Sequence, residues 1–146
     1  MRKKKVLVAS TPNGRNIAQR ALAGKYDLKF VSTIEEARRV LAGSEVNGEG
    51  SLFDLVVCGV HFDDSRMFEL LQHIRTVDHY EELPFLVITA QQSVLPIEGA
   101  VKKGAELLGA YGFLNLYGLP EQEADRQLRH AVEQGFDRPV KVERMV

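Results

Sequence analysis

Short runs of β-branched and aromatic residues alternate with segments of helical period along almost the whole chain, and this alternation constrains the fold more than any single motif. Strands that each return through a helix become parallel neighbours in one sheet, with helices on both faces. Five such strand–helix units can be counted. The chain's 146 residues, 45% of them hydrophobic, suit one core over residues 1–135 and leave no room for a second domain of ordinary size.

The first strand is read at residues 6–9, after which Ser10 or Thr11 can cap a helix with Pro12 in its first turn. Ile17, Ala18, Ala21 and Leu22 form its buried stripe, and Gly24 stops it by taking the left-handed conformation. A second strand at 28–31 leads to Thr33 and Glu36, spaced as a capping box, and to a helix burying Ala37, Val40 and Leu41. Residues 43–51, rich in Gly, Ser, Asn and Glu, read as a surface loop. The third strand, 55–58, precedes a helix in which Met67, Leu70, Leu71, Ile74 and Val77 recur at helical spacing.

Pro84 introduces a fourth strand at 85–88 whose continuous apolar character fits cover on both faces, ending at Thr89-Ala90. A helix over 96–108 then buries Ile97, Val101 and Leu108, weakened by Gly99 and Gly104 at about 1 kcal/mol each relative to alanine. The fifth strand is read at 111–116. The last helix starts at Pro120, turns Ala124, Leu128, Ala131 and Val132 inward, and stops at Gly135. In the tail, 136–146, Val140 and Val142 alternate with charged residues, a pattern open to an extra edge strand or to a frayed terminus.

Charge names no partner: Lys+Arg of 19 against Asp+Glu of 20 give a net charge of −1, with no field favouring nucleic acid or anionic lipid. Lys3, Lys4 and Lys5 form too small a basic patch to argue for nucleic acid. The single cysteine, Cys58, lies in an apolar run and reads as a small buried hydrophobe, which fits a reducing cytoplasm. No apolar stretch approaches the roughly 20 residues that span a bilayer, and neither a membrane segment nor a signal peptide is read.

Four stretches carry a family likeness. Val6-Leu7-Val8, Asp54-Leu55-Val56-Val57, Leu83-Pro84-Phe85-Leu86-Val87-Ile88-Thr89-Ala90 and Gly109-Ala110-Tyr111-Gly112-Phe113-Leu114 follow one another as in the bacterial response-regulator receiver domain, which the chain resembles over residues 4–134. The resemblance implies a doubly wound, flavodoxin-like α/β fold: a five-stranded parallel sheet of order 2-1-3-4-5 with helices on both faces and a site at the strands' carboxyl ends. It also implies a lineage in bacterial two-component signal transduction and phosphorelay.

In that family the site holds two acidic residues after the first strand, a phosphoacceptor aspartate after the third, a Thr or Ser after the fourth and a lysine after the fifth. Carboxylates hold Mg²⁺, and the metal and lysine neutralise charge on the transferred phosphoryl group. Carried onto this chain, the acidic pair falls on Ser10 and Thr11, the phosphoacceptor on Gly59, the hydroxyl on Thr89 and the lysine on Leu116. Only Thr89 matches. The chain therefore reads as a pseudo-receiver that is not an enzyme, holds no metal or cofactor, and acts through a protein partner or as a homodimer. In active members the fourth helix, fifth strand and fifth helix serve as the partner face; the same region here carries Tyr111, Tyr117 and Leu119, either as exposed anchors or as cover for the core edge.

Two other readings use nearby residues. Ser10, Thr11, Asn13 and Gly14 follow the first strand where a flavodoxin-like fold cradles a flavin or nucleotide phosphate at a helix N-terminus, and a Pro-started, capped helix explains the same residues. His61, Asp63 and Asp64 have metal-ligand side chains, with helix capping as the competing use, and Asp54 stands at the wrong end of its strand. His73, His79 and His130 read as solvated.

Overall fold

In the computed structural model, which describes residues 3–46, 53–77, 80–91 and 97–137, the alternation becomes one five-stranded parallel sheet of order β2-β1-β3-β4-β5. The elements are β1 (Lys5–Ala9), α1 (Pro12–Leu22), β2 (Asp27–Val31), α2 (Ile34–Val46), β3 (Leu55–Gly59), α3 (Phe62–Ser65), α4 (Met67–Thr76), β4 (Phe85–Thr89), α5 (Ile97–Leu107), β5 (Gly112–Asn115) and α6 (Glu121–Phe136). This is the receiver-type, flavodoxin-like order.

The strands' period of two divides the core into two layers. Val56 and Cys58 of β3 and Phe85 and Val87 of β4 face the cluster built with α2, α3, α4 and α5. Leu55 and Val57, with Leu86 and Ile88, face the opposite cluster built with α1 and α6. All ten residues of β3 and β4 are buried, which accounts for their unbroken apolar runs. Full burial of a Leu or Val side chain contributes about 1.5–3 kcal/mol, so these central strands anchor the sheet.

Helix ends follow the sequence in several places. Glu36 N–H donates to Thr33 Oγ1 at 3.1 Å, the first half of the expected capping box, while the Glu36 carboxylate accepts from Ser32 N–H at 2.9 Å, one residue before the cap. Thr11 is the N-cap of α1 with Pro12 following, although its side chain makes no cap hydrogen bond. Gly24 (φ +85°) and Gly109 (φ +99°) turn the chain after α1 and α5 in a conformation that side-chain-bearing residues rarely adopt.

Other boundaries differ from the sequence reading. The expected loop from residue 43 is helical as far as Val46, because Gly43 lowers helix propensity without obstructing the helix; the rest of that segment lies outside the described residues. Helix α4 ends at Thr76, leaving Val77 as its extended C-cap. Strand β5 is shorter than 111–116, yet Tyr111 N–H and Leu116 N–H still donate to Phe85 O and Thr89 O at 3.0 and 2.8 Å.

Two glycines have a packing role instead of the expected one. A Cβ on Gly104 would lie 3.1 Å from the Phe68 ring, so this residue lets α5 approach α4. Gly135 does not stop α6, which continues to Phe136; a Cβ there would collide with the Tyr111 hydroxyl and lie 2.5 Å from Leu55 Cδ1. On α5 the inward residues are Ala105, fully buried, and Val101 and Leu108, partly buried, while Leu107 is 76% exposed. The side chain of Ile97 and the tail after Asp137 lie outside the described residues.

Candidate functional site

Strand register assembles the site. Ala9 pairs with Cys58, Gly59 with Ile88 and Thr89 with Asn115, so the carboxyl ends of β1, β3, β4 and β5 fall in line. Ser10, Gly59, Thr89 and Leu116, far apart in the chain, therefore share one end of the sheet, where an open α/β fold places its ligands.

Ser10 is 7% exposed and fills the crevice between α1 and β3. A Cβ on Gly14 would come closer to Ser10 Oγ than real Cβ contacts come, and a Cβ on Gly59 would sit 3.0 Å from the same oxygen. Ser10 Oγ thus occupies space that side chains at both glycines would need. At the start of α1 Gly14 is buried against Ser10, whereas Asn13 is exposed; Thr11, just before the helix, is half-buried.

The remaining positions offer little to a phosphoryl group. Thr89 is buried, and its Oγ1 donates to Gln91 O at 3.3 Å. Leu116 is 3% exposed and packs into the cluster shared by α1 and α6. Mg²⁺ takes oxygen ligands, usually including carboxylates. Ser10 and Thr11 supply neutral hydroxyls and Gly59 supplies no side chain, so these residues do not fit the divalent cation that the fold's phosphoryl chemistry uses.

Two carboxylates, Asp63 and Asp54, are engaged by backbone N–H groups. Asp63 and Asp64 of α3, followed by Ser65, all have positive φ, and this turn aims Asp63 at the start of α2, where Asp63 Oδ2 accepts Ile34 N–H at 2.8 Å. Asp63 is a cap, of α2 and not of the helix that follows it in sequence. Asp54 accepts Lys5 N–H at 2.7 Å at the opposite end of the sheet. Among the described residues no group of three or more His, Cys, Asp or Glu is placed to hold a metal ion. Cys58 is fully buried, and desolvation raises its thiol pKa well above the ordinary value.

The three residues named for a partner face sit differently. Tyr111 is partly buried and its hydroxyl donates to Ala131 O at 2.8 Å, tying β5 to α6. Leu119 is partly buried against the α1–α6 cluster, and Tyr117 is half exposed. Sequence reasoning missed Leu107, which adjoins Leu108 and gave no signal of which of the two faces solvent. It also missed Tyr80, fully buried, whose hydroxyl accepts Phe53 N–H at 3.1 Å.

Beside the crevice lies an open groove of about 340 Å³ between α1 and the β5–α6 connection. Ile17, Leu116, Leu119 and Ala124 give it an apolar lining, and Asn13, Asn16, Arg20, Tyr117 and Glu121 contribute polar groups. Arg20 donates to both oxygens of Asp125 at 3.1 and 3.0 Å and lies 3.8 Å from Glu121. The hydrogen bond to Asp125 is the main cause of its raised pKa.

No family model matches the chain, and no curated protein matches it. Solved structures do. The phosphorylated cyanobacterial phytochrome response regulator RcpA superposes with a TM-score of 0.72 at 17% identity, covering 91% of this chain and 93% of its own. A putative response regulator from Chloroflexus aurantiacus J-10-fl gives 0.71 at 19% identity, covering 94% of this chain and all of its own. The signal receiver domain of an HD domain-containing protein from Pseudomonas fluorescens Pf-5 gives 0.60 at 23% identity, covering 94% and 100%. The chain has the fold of the response-regulator receiver domains, with the five-stranded parallel order 2-1-3-4-5.

Proposed function

We propose that this chain is a receiver-fold signalling module that accepts no phosphoryl group and works by binding another protein or a second copy of itself. The observation that carries the reading is the packing of Ser10 against Gly14 and Gly59. Phosphoryl transfer in this fold needs a carboxylate nucleophile, a cation site and a positive charge to stabilise the transferred group. Here Gly59 has no nucleophile, Ser10 and Thr11 are neutral, and Leu116 is apolar and buried. The signal then has to enter as a contact, without a covalent modification at this site.

Exposed apolar side chains support the contact reading. Leu107 at the end of α5 and Tyr117 after β5 are the large hydrophobics most open to solvent among the described residues, and both border the α5–β5–α6 side. Aromatic residues of this kind commonly anchor interfaces. Among the described residues no helix is long and apolar enough to cross a membrane.

The test is incubation with acetyl phosphate and Mg²⁺ followed by intact mass measurement and site mapping, alongside sedimentation over a wide concentration range. An unmodified mass together with self-association weakened by Leu107→Glu or Tyr117→Ala is expected if the partner is a second copy. An acyl phosphate mapped to this crevice overturns the first half of the proposal. A chain that stays monomeric and binds no signalling protein overturns the second.

A further inference from the structure

We propose that the groove between α1 and the β5–α6 connection binds a small, neutral, planar heteroaromatic molecule with an amide-like edge, the chemistry presented by a nucleobase. This goes beyond the protein-contact reading, with which it shares Tyr117: the groove neighbours the Ser10 crevice and requires neither phosphate nor a protein partner.

The argument begins with the stripe that α1 turns toward the groove. Asn13, Asn16 and Arg20 follow one another at helical spacing beside Ile17, whereas Gly14, Ala18, Ala21 and Leu22 form the buried stripe. The carboxamides of Asn13 and Asn16 make no hydrogen bond among the described residues, and both side chains are exposed. Each offers a donor pair and an acceptor, the complement of an amide or lactam edge. Across the groove the exposed ring of Tyr117 provides a surface for stacking, and buried Leu116 makes the lining apolar.

Charge narrows the ligand class. Arg20, a cation lining the groove, is held by Asp125 and lies close to Glu121, so its charge is already met by two carboxylates. An anionic ligand gains no unpaired cation there, meets a surplus carboxylate and loses hydration, whereas a neutral one meets carboxamides at little desolvation cost. The volume of about 340 Å³ lies at the small end of ligand pockets and suits one or two fused rings better than a larger molecule.

The experiment titrates the whole chain with uridine and with adenosine, following backbone amide resonances, with p-cresol (a ring without an amide edge) and orotate (a charged planar analogue) as comparisons. Saturable shifts confined to residues 13–20 and 116–121 are expected for uridine or adenosine, with weaker binding of p-cresol and orotate. Asn13→Ala and Asn16→Ala should each weaken the nucleoside about fivefold, the loss of roughly one neutral hydrogen bond, and leave p-cresol unchanged. Tyr117→Ala should weaken every ring. Both asparagines are exposed, so these variants are expected to fold; thermal melts establish this, and Asn16→Asp, nearly the same shape, repeats the test with a charge. The proposal is overturned if neither nucleoside gives a saturable shift up to its solubility, if p-cresol or orotate binds as tightly, or if the double asparagine variant binds the nucleoside normally.

Discussion

Replacing Gly14 by alanine places a methyl group where Ser10 Oγ now sits, with Ser10 Cβ 3.2 Å and Ile88 Cδ1 3.4 Å from the new carbon. Ser10 must rotate or α1 must move away from β3. Overpacking of this kind costs about 1–3 kcal/mol, against which alanine recovers about 1 kcal/mol of helix propensity, so Gly14→Ala should be net destabilising by about 0–2 kcal/mol. Ser10→Ala removes the colliding oxygen, and in that background Gly14→Ala should be neutral or stabilising by up to about 1 kcal/mol. The quantity to measure is the coupling in a double-mutant cycle from urea denaturation of the four proteins. A coupling of about 1–3 kcal/mol is expected, and additivity within about 0.5 kcal/mol would refute the claim that Ser10 fills the crevice against α1.

Gly135→Ala should lower stability by at least 2 kcal/mol, because the methyl meets Tyr111 and Leu55 from two sides and competes with the Tyr111–Ala131 hydrogen bond; thermal melting should show a fall of several degrees, and an unchanged midpoint would contradict the packing described. Asp63→Ala should cost about 0.5–2 kcal/mol through loss of the cap on Ile34 N–H, with amide exchange accelerated in the first turn of α2, and equal protection in both proteins would argue against that cap. His73 is shifted below its ordinary value of 6.5, first by burial and then by Arg38, so the folded chain resists its protonation. Stability present above pH 6.5 is therefore lost as pH falls from 6.5 through the folded-state value, and denaturation at a series of pH values should show a shallower slope there for His73→Gln; an identical slope would remove His73 as the cause.

The strand framework was legible because parallel central strands leave a signature that tolerates no polar interruption: 55–59 and 85–89 are apolar almost throughout. The place of Gly59 at the end of β3 followed from that framework alone. What sequence could not supply was non-local geometry. The contact of Ser10 with Gly59 joins segments about fifty residues apart, and Asp63 caps a helix 29 residues earlier in the chain. Glycine carries two meanings, conformation and small size, and a string of letters does not separate them: Gly24 serves the first, as expected, while Gly135 serves the second. At Leu107-Leu108 a one-residue uncertainty in helical phase decides which leucine meets solvent. Tyr80 carried no periodic signal, since its burial depends on the Phe53 amide it satisfies.

Lys4 lies over the Phe136 ring at 5.6 Å, and Phe136 packs against Tyr26 with ring centroids 5.3 Å apart. Polypeptide leading into β1 and polypeptide leaving α6 therefore meet at one pole of the domain, while Ser10, Tyr117 and the groove lie at the other. A fusion or insertion made through these two points would enter and leave like a plug on a two-wire lead, and the end that carries the candidate site would stay uncovered.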